Sequence, residues 1–425
     1  MVILLTGASG FIGKHLACAL AAAGHEIVRA QRGDAGGPGR IVHADLMRDV
    51  TPTDWLPRLA GVNAVINAAG ILRETADATF ERVHTLGPIA LFEACAQSNI
   101  ELVVQISALG ADAAATSRYH LSKKAADDHL AGLSLPAYIV QPSLVYGRGG
   151  TSAKLFDTLA VLPVIPVPGK GEQRVQPVHV DDLVDVVLTM LSEHTTQPET
   201  ATRVAVVGPE PLPLRDFLQR LRTTLHLRRA WVIGVPMPIV RAAARINDVI
   251  HRGLLDTETL QMLERGNTAD VAETRRWLGR SPRPVEHFVA DEEARDARTV
   301  ALLGWLVPLL RWSVALVWIV TGVISLGIYP VAESYALLAR VGVAGAFAPV
   351  MLYGAALLDL ALGIGALVLQ RRRWLWLAQI AVMLGYTAII SWKLPEFWLH
   401  PYGPLLKNLP MLAAMYLLYA LEERR

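Results

Sequence analysis

Two groups of residues in this chain are of types and spacings that could do chemistry. The first is Gly7, Gly10 and Gly13, with Ser9, Phe11 and Ile12 among them, placed directly after the all-apolar stretch Val2 to Leu5. A strand, a glycine turn and then a helix start is a phosphate cradle: Gly7 permits the tight turn, Gly10 lets a phosphate approach the backbone, and Gly13 lets the helix pack closely. The second is Tyr119 and Lys123, four residues apart, whose side chains leave one face of a helix and reach a common ligand. Chance supplies roughly 0.16 such pairs in a chain with 10 tyrosines.

A pyrophosphate cradle beside a Tyr–Lys pair points to nicotinamide chemistry. Hydride transfer at a carbonyl needs a proton for the developing alkoxide, and a tyrosine with a pKa near ~10 cycles reluctantly at neutral pH. The Lys123 ammonium, with an oxidised nicotinamide ring, would favour the phenolate by roughly 1–3 pKa units and would also bind ribose hydroxyls. Tyr119 is the expected acid/base and Lys123 its tuner.

Other elements must position these groups. Apolar strands are expected at Glu26 to Ala30, Ala64 to Asn67, Leu102 to Ile106 and Ala137 to Val140, separated by helical stretches, which is an α/β Rossmann-type doubly wound parallel sheet. At the end of the second strand stand Gln31 and Arg32 instead of a carboxylate. A carboxylate would repel a 2′-phosphate and arginine can hold it bidentately, so NADP(H) is favoured over NAD(H), through Arg32 first and Arg29 second. The competing reading of Arg32 is a solvated loop charge.

The order of these motifs resembles the short-chain dehydrogenase/reductase superfamily in its extended or atypical branch, over residues 1–290. The resemblance is carried by Thr6-Gly-Ala-Ser-Gly-Phe-Ile-Gly13, Asp45-Leu46, Asn67-Ala-Ala-Gly70, Tyr119-His-Leu-Ser-Lys123 and Gln141-Pro-Ser-Leu-Val-Tyr-Gly147. It implies that Asp45 and Leu46 lie by the adenine, that Asn67, Ala68, Ala69 and Gly70 line the ribose side, and that Pro142 joins the cofactor set. It also implies a catalytic Ser or Thr after the strand ending at Ile106. Ser107 is one match, donating to the carbonyl oxygen; if the slot is Ala108, that donor is gone. His84 replaces the Asn usual before Gly87, and His179 beside Asp181 reads as a structural pair. These departures narrow the resemblance to members related to the NADPH-holding accessory subunit of respiratory complex I, in which the cofactor serves structure.

The composition of the whole chain sets further bounds. The 425 residues are 52% apolar and 18% charged with net charge +2, which gives no electrostatic argument for nucleic acid. Cys18 and Cys95 cannot supply a disulfide framework or a cysteine zinc site, and no metal is expected.

Between Thr299 and Gln370 the formal charges are Arg311, Glu333, Arg340 and Asp359, so residues 301–425 are expected to be an all-α four-helix transmembrane domain after a charged linker at 291–300. Spans are expected at Trp312 to Pro330, Phe347 to Leu369, Trp374 to Trp392 and Leu405 to Leu421, with tryptophans at both ends of the third. This half resembles the DoxX-like family of small membrane proteins, some associated with quinone-linked oxidoreductases. Arg371, Arg372, Arg373, Arg424, Arg425, Arg295, Arg298 and Arg311 all fall on one side. The N-terminal domain and the C-terminus are therefore expected in the cytosol, at the cytoplasmic (inner) membrane. The N-terminus shows no basic region followed by an apolar stretch, so no cleaved signal is expected.

Between the halves, Leu212 to Leu225 reads as a helix in a small substrate-side subdomain. Val235 to Ile250, with Arg241 and Arg245, is either a packed lid helix or a segment lying on a membrane surface. Asp359 in the second span either handles protons or quinone or fixes helix packing.

The sequence therefore points to a membrane-anchored NADP(H)-dependent oxidoreductase acting on a small lipophilic carbonyl or quinone, with membrane lipid around it. The alternative is a non-catalytic NADPH-binding assembly or sensor protein with a respiratory-chain subunit as partner. A sugar-nucleotide epimerase is a third reading, for which Arg148 and Arg174 are the obvious phosphate partners.

Overall fold

The computed structural model describes the chain except residues 34–35, 193–199, 251–254, 371 and 423–425; Arg371, Arg424 and Arg425 therefore lie outside the described residues. Two compact units are present, Met1–Ala301 and Leu302–Arg425.

In the first unit, strands β1 (Val2–Thr6), β2 (Glu26–Gln31), β3 (Arg40–His43), β4 (Ala64–Asn67), β5 (Leu102–Ile106) and β6 (Ala137–Pro142) alternate with helices. The helices among them are α1 (Phe11–Ala22), α2 (Pro52–Trp55), α3 (Gly87–Ala96) and α4 (Arg118–Ala131). Beyond the two-residue strand β7 (Val145–Tyr146) follow α5 (Thr151–Ala160), β8 (Val164–Pro168), β9 (Arg174–Val175), β10 (Val178–His179), α6 (Val180–Ser192) and β11 (Thr202–Val206). The sheet has seven strands in the order β11-β6-β5-β4-β1-β2-β3, every pair parallel. The order reverses between β1 and β4, so the carboxyl ends of those two strands open the crevice in which such sheets bind ligands.

The central strands are almost wholly apolar because both faces are covered. One face packs Ile3, Leu5, Ile66 and Val104 on Leu16, Leu20 and Val187; the other packs Leu4, Val65 and Val103 on Trp55, Leu91 and Leu130. The edge strands β3 and β11 were not expected from the sequence. Strand β3 reads Arg-Ile-Val-His and is largely exposed, so it lacks the apolar run that marks its neighbours.

The subdomain contains β12 (Leu212–Pro213), α7 (Leu214–Thr224), β13 (Trp231–Val235), α8 (Met237–Ile250) and α9 (Thr257–Arg265), whereas α10 (Ala272–Leu278) packs back on the main sheet, with Trp277 in its core against Tyr138. Strand β13 runs parallel to β8, and β12 antiparallel to β9. The charged run 291–300 is not wholly extended linker: α11 (Ala294–Val323) begins inside it.

The second unit comprises the rest of α11, α12 (Val331–Arg340), α13 (Phe347–Val368), α14 (Arg373–Lys393) and α15 (Asn408–Leu421). Among the described residues three helices are long and apolar enough to cross a membrane: Ala294–Ile328, Phe347–Val368 and Arg373–Lys393. The fourth expected span is shorter than its apolar sequence. Helix α15 has 14 residues, about 21 Å at ~1.5 Å per residue, against a hydrocarbon core of ~30 Å. Small residues bring α11 and α13 together: a Cβ on Gly363 would lie 3.0 Å from the Ala315 carbonyl oxygen, and one on Gly322 would lie 2.8 Å from that of Ala356. Where α14 begins and α15 ends, Glu422 accepts from the Trp376 indole at 3.1 Å and pairs with Arg372 at 3.3 Å.

Candidate functional site

Helix α1 starts at the switch point without a capping side chain, and its first turn holds no acidic residue, so its amides face the crevice unneutralised. Gly7 has φ +68°, and a Cβ there would lie 2.6 Å from the Ala68 carbonyl. A Cβ on Gly13 would lie 2.1 Å from the Gly7 oxygen. The cradle is thus closed to any side chain, which fits a nucleotide pyrophosphate. Ser9 and Gly10 are exposed at its mouth, Phe11 and Ile12 are half-buried behind it, and the Phe11 ring rests on Gly147 and Gly150.

Arg32 stands exposed after β2, and among the described residues no ion pair holds it. Arg29 is buried, with its guanidinium against Gly37. The two arginines expected to share a 2′-phosphate are therefore unlike: Arg32 is open to a ligand and Arg29 is part of the wall. Asp45 accepts from the Met47 amide at 3.1 Å within its own loop, and Leu46 packs on Gly87.

Thr6, Asn67 and Gln105 lie directly opposite one another on β1, β4 and β5 and form a polar ladder across the sheet. The Thr6 hydroxyl donates to Asn67 Oδ1 at 2.5 Å, and Asn67 Nδ2 donates to Gln105 Oε1 at 2.7 Å. Gln105 reaches Asp127 Oδ1 at 3.5 Å, and the Ser107 hydroxyl donates to Asp127 Oδ2. The Asn67 side chain is therefore occupied inside the protein, and the strand-end loop offers a ligand its backbone at Ala68, Ala69 and Gly70. Pro142 ends β6 buried, with its carbonyl accepting from the Leu109 amide at 2.9 Å.

Helix α4, capped by Ser117, presents Tyr119, Lys123 and Asp127 at four-residue intervals. Lys123 is buried, and Nζ donates to the carbonyls of Ile106 at 3.1 Å and Ala69 at 3.3 Å. Burial pulls its pKa down to about 8 against the opposing pull of Asp127. Tyr119 is half-buried, and its ring meets the edges of His84, His120 and Phe80 at 5.3, 5.4 and 6.0 Å. Burial, and then the Asp127 charge, push its phenol up to about 12. The expected lowering of this phenol by Lys123 is not what the protein alone provides. Burial also raises Asp127, opposed by Ser107 and Lys123.

His84 has a definite task that its sequence position did not disclose. Nε2 accepts from the Ile71 amide at 2.9 Å, so Nδ1 carries the proton and donates to Ser122 Oγ at 2.9 Å. Ser122 in turn donates to the Tyr119 carbonyl at 2.8 Å. Burial, then the Lys123 charge, hold His84 down at about 2, so it stays neutral and ties the loop after β4 to helix α4. His179 is engaged with Asp181 at 3.5 Å and Arg283 at 3.3 Å.

Residues Asp256 to Asn267 form a strap over α4 that sequence reasoning missed. Glu258 accepts from the amides of Arg118 and Tyr119 at 3.3 and 3.4 Å, Arg265 forks onto Asp112 at 2.6 and 2.7 Å, and Arg73 pairs with Asp256 at 2.5 Å. Of the arginines relevant to a sugar nucleotide, Arg148 is paired with Glu293 at 3.2 Å. Among the described residues no cluster of His, Cys, Asp and Glu could hold a metal ion.

Residues 3–205 match the NAD dependent epimerase/dehydratase family and residues 315–416 the DoxX-like family. A ceramide reductase of Caulobacter vibrioides is 34% identical over 272 residues, covering 59% of this chain and 84% of that protein. The mitochondrial NADH dehydrogenase [ubiquinone] 1 alpha subcomplex subunit 9 of Arabidopsis thaliana is 26% identical over 263 residues. That match covers 58% of this chain and 63% of the subunit, so the chain spans less than two thirds of its length. The fold is shared with a UDP-glucuronic acid 4-epimerase from Bacillus cereus in complex with UDP-glucuronic acid and NAD, at TM-score 0.51 and 18% identity over 70% of this chain and 99% of that one. The chain is thus a membrane protein with an NAD(P)-binding, oxidoreductase-type Rossmann domain, and it belongs to the epimerase/dehydratase branch of the short-chain dehydrogenases/reductases, fused to a DoxX-like domain.

Proposed function

We propose that the protein is a membrane-anchored NADP(H)-dependent reductase of a lipophilic carbonyl or quinone-type substrate. The observation that carries this reading is the Tyr119–Lys123 pair, with Lys123 seated on the Ala69 and Ile106 carbonyls beside a side-chain-free phosphate cradle. A relative named for reduction of ceramide, itself a lipid, supports a lipid-borne carbonyl.

When bound, the nicotinamide supplies the hydride. Gly7, Gly10 and Gly13 admit the pyrophosphate to the α1 amides, Arg32 takes the 2′-phosphate, and Lys123 holds ribose hydroxyls. Tyr119 delivers its phenolic proton to the carbonyl oxygen as negative charge develops there. The Ser107 lone pairs and the Asp127 carboxylate keep the floor of the site polar and fixed. The positive charges of Arg372 and Arg373, where α14 begins, support a cytosolic N-terminal unit at the inner membrane. Residues 1–290 act as the cofactor domain, 291–300 as the connection and 301–425 as the anchor.

A second reading, a non-catalytic NADPH-binding subunit docked to a respiratory partner, is favoured by one observation: the Ser107 proton is committed to Asp127 and Ala108 follows it. The test is NADPH oxidation by the full chain in nanodiscs with lipophilic ketones and quinones. Turnover that falls at least ~100-fold in Tyr119→Phe with unchanged NADPH affinity is the expected result. Tight NADPH binding without oxidation, the same in Tyr119→Phe, overturns it in favour of the second reading.

A further inference from the structure

Large apolar side chains that stay in water are unevenly placed in the first unit. Among the described residues of that unit six are more than half exposed: Val300 on the apolar helix α11, and five that all fall between Trp231 and Val249, namely Trp231 and Ile233 on β13 and Ile239, Ile246 and Val249 on α8. Trp231 is 82% and Val249 79% exposed. Scattered surface leucines need no explanation, whereas a contiguous apolar patch marks a contact surface.

Helix α8 has two apolar stripes with different fates. Val240 and Ala244 are buried against Leu260 of α9 and against Val235 and Met237. At ~100° per residue, Ile239, Ala242, Ile246 and Val249 share an outward arc of about 80°, away from that contact. Arg245 borders this arc, and Arg228 and Arg229 lie just ahead of β13. Arg241 is paired with Glu264 at 2.8 Å, whereas among the described residues no ion pair holds Arg228, Arg229 or Arg245.

We propose that β13 and α8 form an interfacial docking surface by which the first unit rests on an anionic lipid leaflet. An apolar arc with a basic border is what an interfacial helix presents, the arc entering the headgroup boundary and the arginines meeting lipid phosphates. Among the described residues the same chain carries three helices of membrane-crossing length and apolarity, so the first unit is covalently tethered to a membrane segment. The docked face lies one helix from the site, because α9 packs beneath α8 through Leu260 and carries Glu258 onto the Tyr119 amide. A lipophilic substrate leaving the leaflet would meet this face on the way to Tyr119. That route rests on the reductase reading; the docking itself does not.

The experiment uses the full chain in nanodiscs of phosphatidylethanolamine with 30% phosphatidylglycerol, and in nanodiscs of phosphatidylcholine alone. Cys18 is replaced by serine and Cys95 is buried, so a nitroxide is placed at Ile246→Cys or, as an aqueous control, at the exposed Asn99→Cys. Unchanged NADPH affinity verifies that each variant is folded. In the anionic discs the label at 246 is expected to be relaxed by oxygen at least threefold more than by a water-soluble nickel chelate, with the order reversed at 99. Arg245→Glu combined with Arg229→Glu is expected to return 246 to the aqueous pattern. Equal aqueous accessibility at 246 and 99 overturns the proposal. Protection of 246 from both reagents overturns it as well, since a protein surface then covers the patch. Neither readout requires turnover, so a protein that docks but oxidises no NADPH refutes the reductase reading alone.

Discussion

Lys123 is buried with its pKa drawn down to about 8, and cofactor binding is expected to reverse that shift. Ribose hydroxyls that accept from Nζ favour the ammonium and return it toward its ordinary 10.5. The group is protonated in both states below pH 8, so affinity is flat there. Above pH 8 the free protein has lost a proton that the complex still wants, and affinity falls. At pH 8.5 the free lysine is roughly one quarter protonated, so binding takes up about 0.75 proton; between pH 7.5 and 9.5 the dissociation constant should rise about 20-fold. His84 at about 2, His120 at about 4 and Tyr119 at about 12 lie outside this window, and the cofactor 2′-phosphate titrates near ~6. The same shift makes the cofactor-free fold more stable as pH rises from 8 to 10.5, since the unfolded chain there holds the extra proton. Calorimetry of NADPH binding in two buffers of different ionisation enthalpy reads the proton count directly. A wild-type profile that is flat from pH 7.5 to 9.5, or a slope that survives in Lys123→Met, refutes the assignment.

Gly13→Ala places a methyl 2.1 Å from the Gly7 carbonyl oxygen and 2.7 Å from its carbon, both backbone, so α1 must move off the turn. NADPH affinity is expected to fall at least ~100-fold and stability by roughly 1–3 kcal/mol, read by fluorescence titration and thermal melting. Arg32→Glu is expected to reverse the preference for NADPH over NADH, weakening NADPH by about 10–100-fold and leaving NADH within ~3-fold, because a carboxylate repels the 2′-phosphate. Asp127→Asn removes the charge that opposes the burial of Lys123. The falling limb of NADPH affinity should then begin at lower pH than in wild type, checked by repeating the titration series from pH 6.5 to 9.5.

The parts of this fold that a short window specifies were legible in the sequence: the glycine turn between β1 and α1, the apolar strands β4, β5 and β6, and the Tyr119–Lys123 pair. The same four-residue step continued once more reaches Asp127, so that residue could have been found by extending the helical period. Strand β3 could not, because an edge strand with one exposed face does not repeat the apolar run of a central one. His84, Glu258 and Arg265 were also hidden. Each acts through a backbone group distant in sequence, Ile71, the Tyr119 amide and the Gly110 carbonyl, and such pairing is a property of the assembled structure. The fourth apolar run was read at its full length, whereas α15 begins only at Asn408, past Pro404 and the turn around Gly403.

The electrostatics around Tyr119 bear on the direction of the proposed chemistry. A base that must accept a proton from an alcohol needs its phenolate within reach of neutral pH. Here burial and the Asp127 charge drive the phenol the other way, to about 12. Lys123, which would oppose them, is turned to the Ala69 and Ile106 carbonyls and is itself held down at about 8. Before cofactor binds, Tyr119 is therefore set as a proton donor, the form a reductase requires at the start of its cycle. On this argument a bound ribose, by holding the Lys123 ammonium, does more than position the cofactor. It keeps Lys123 charged above pH 8 as well as below it, and that charge makes loss of the Tyr119 proton less costly when a carbonyl oxygen can take it.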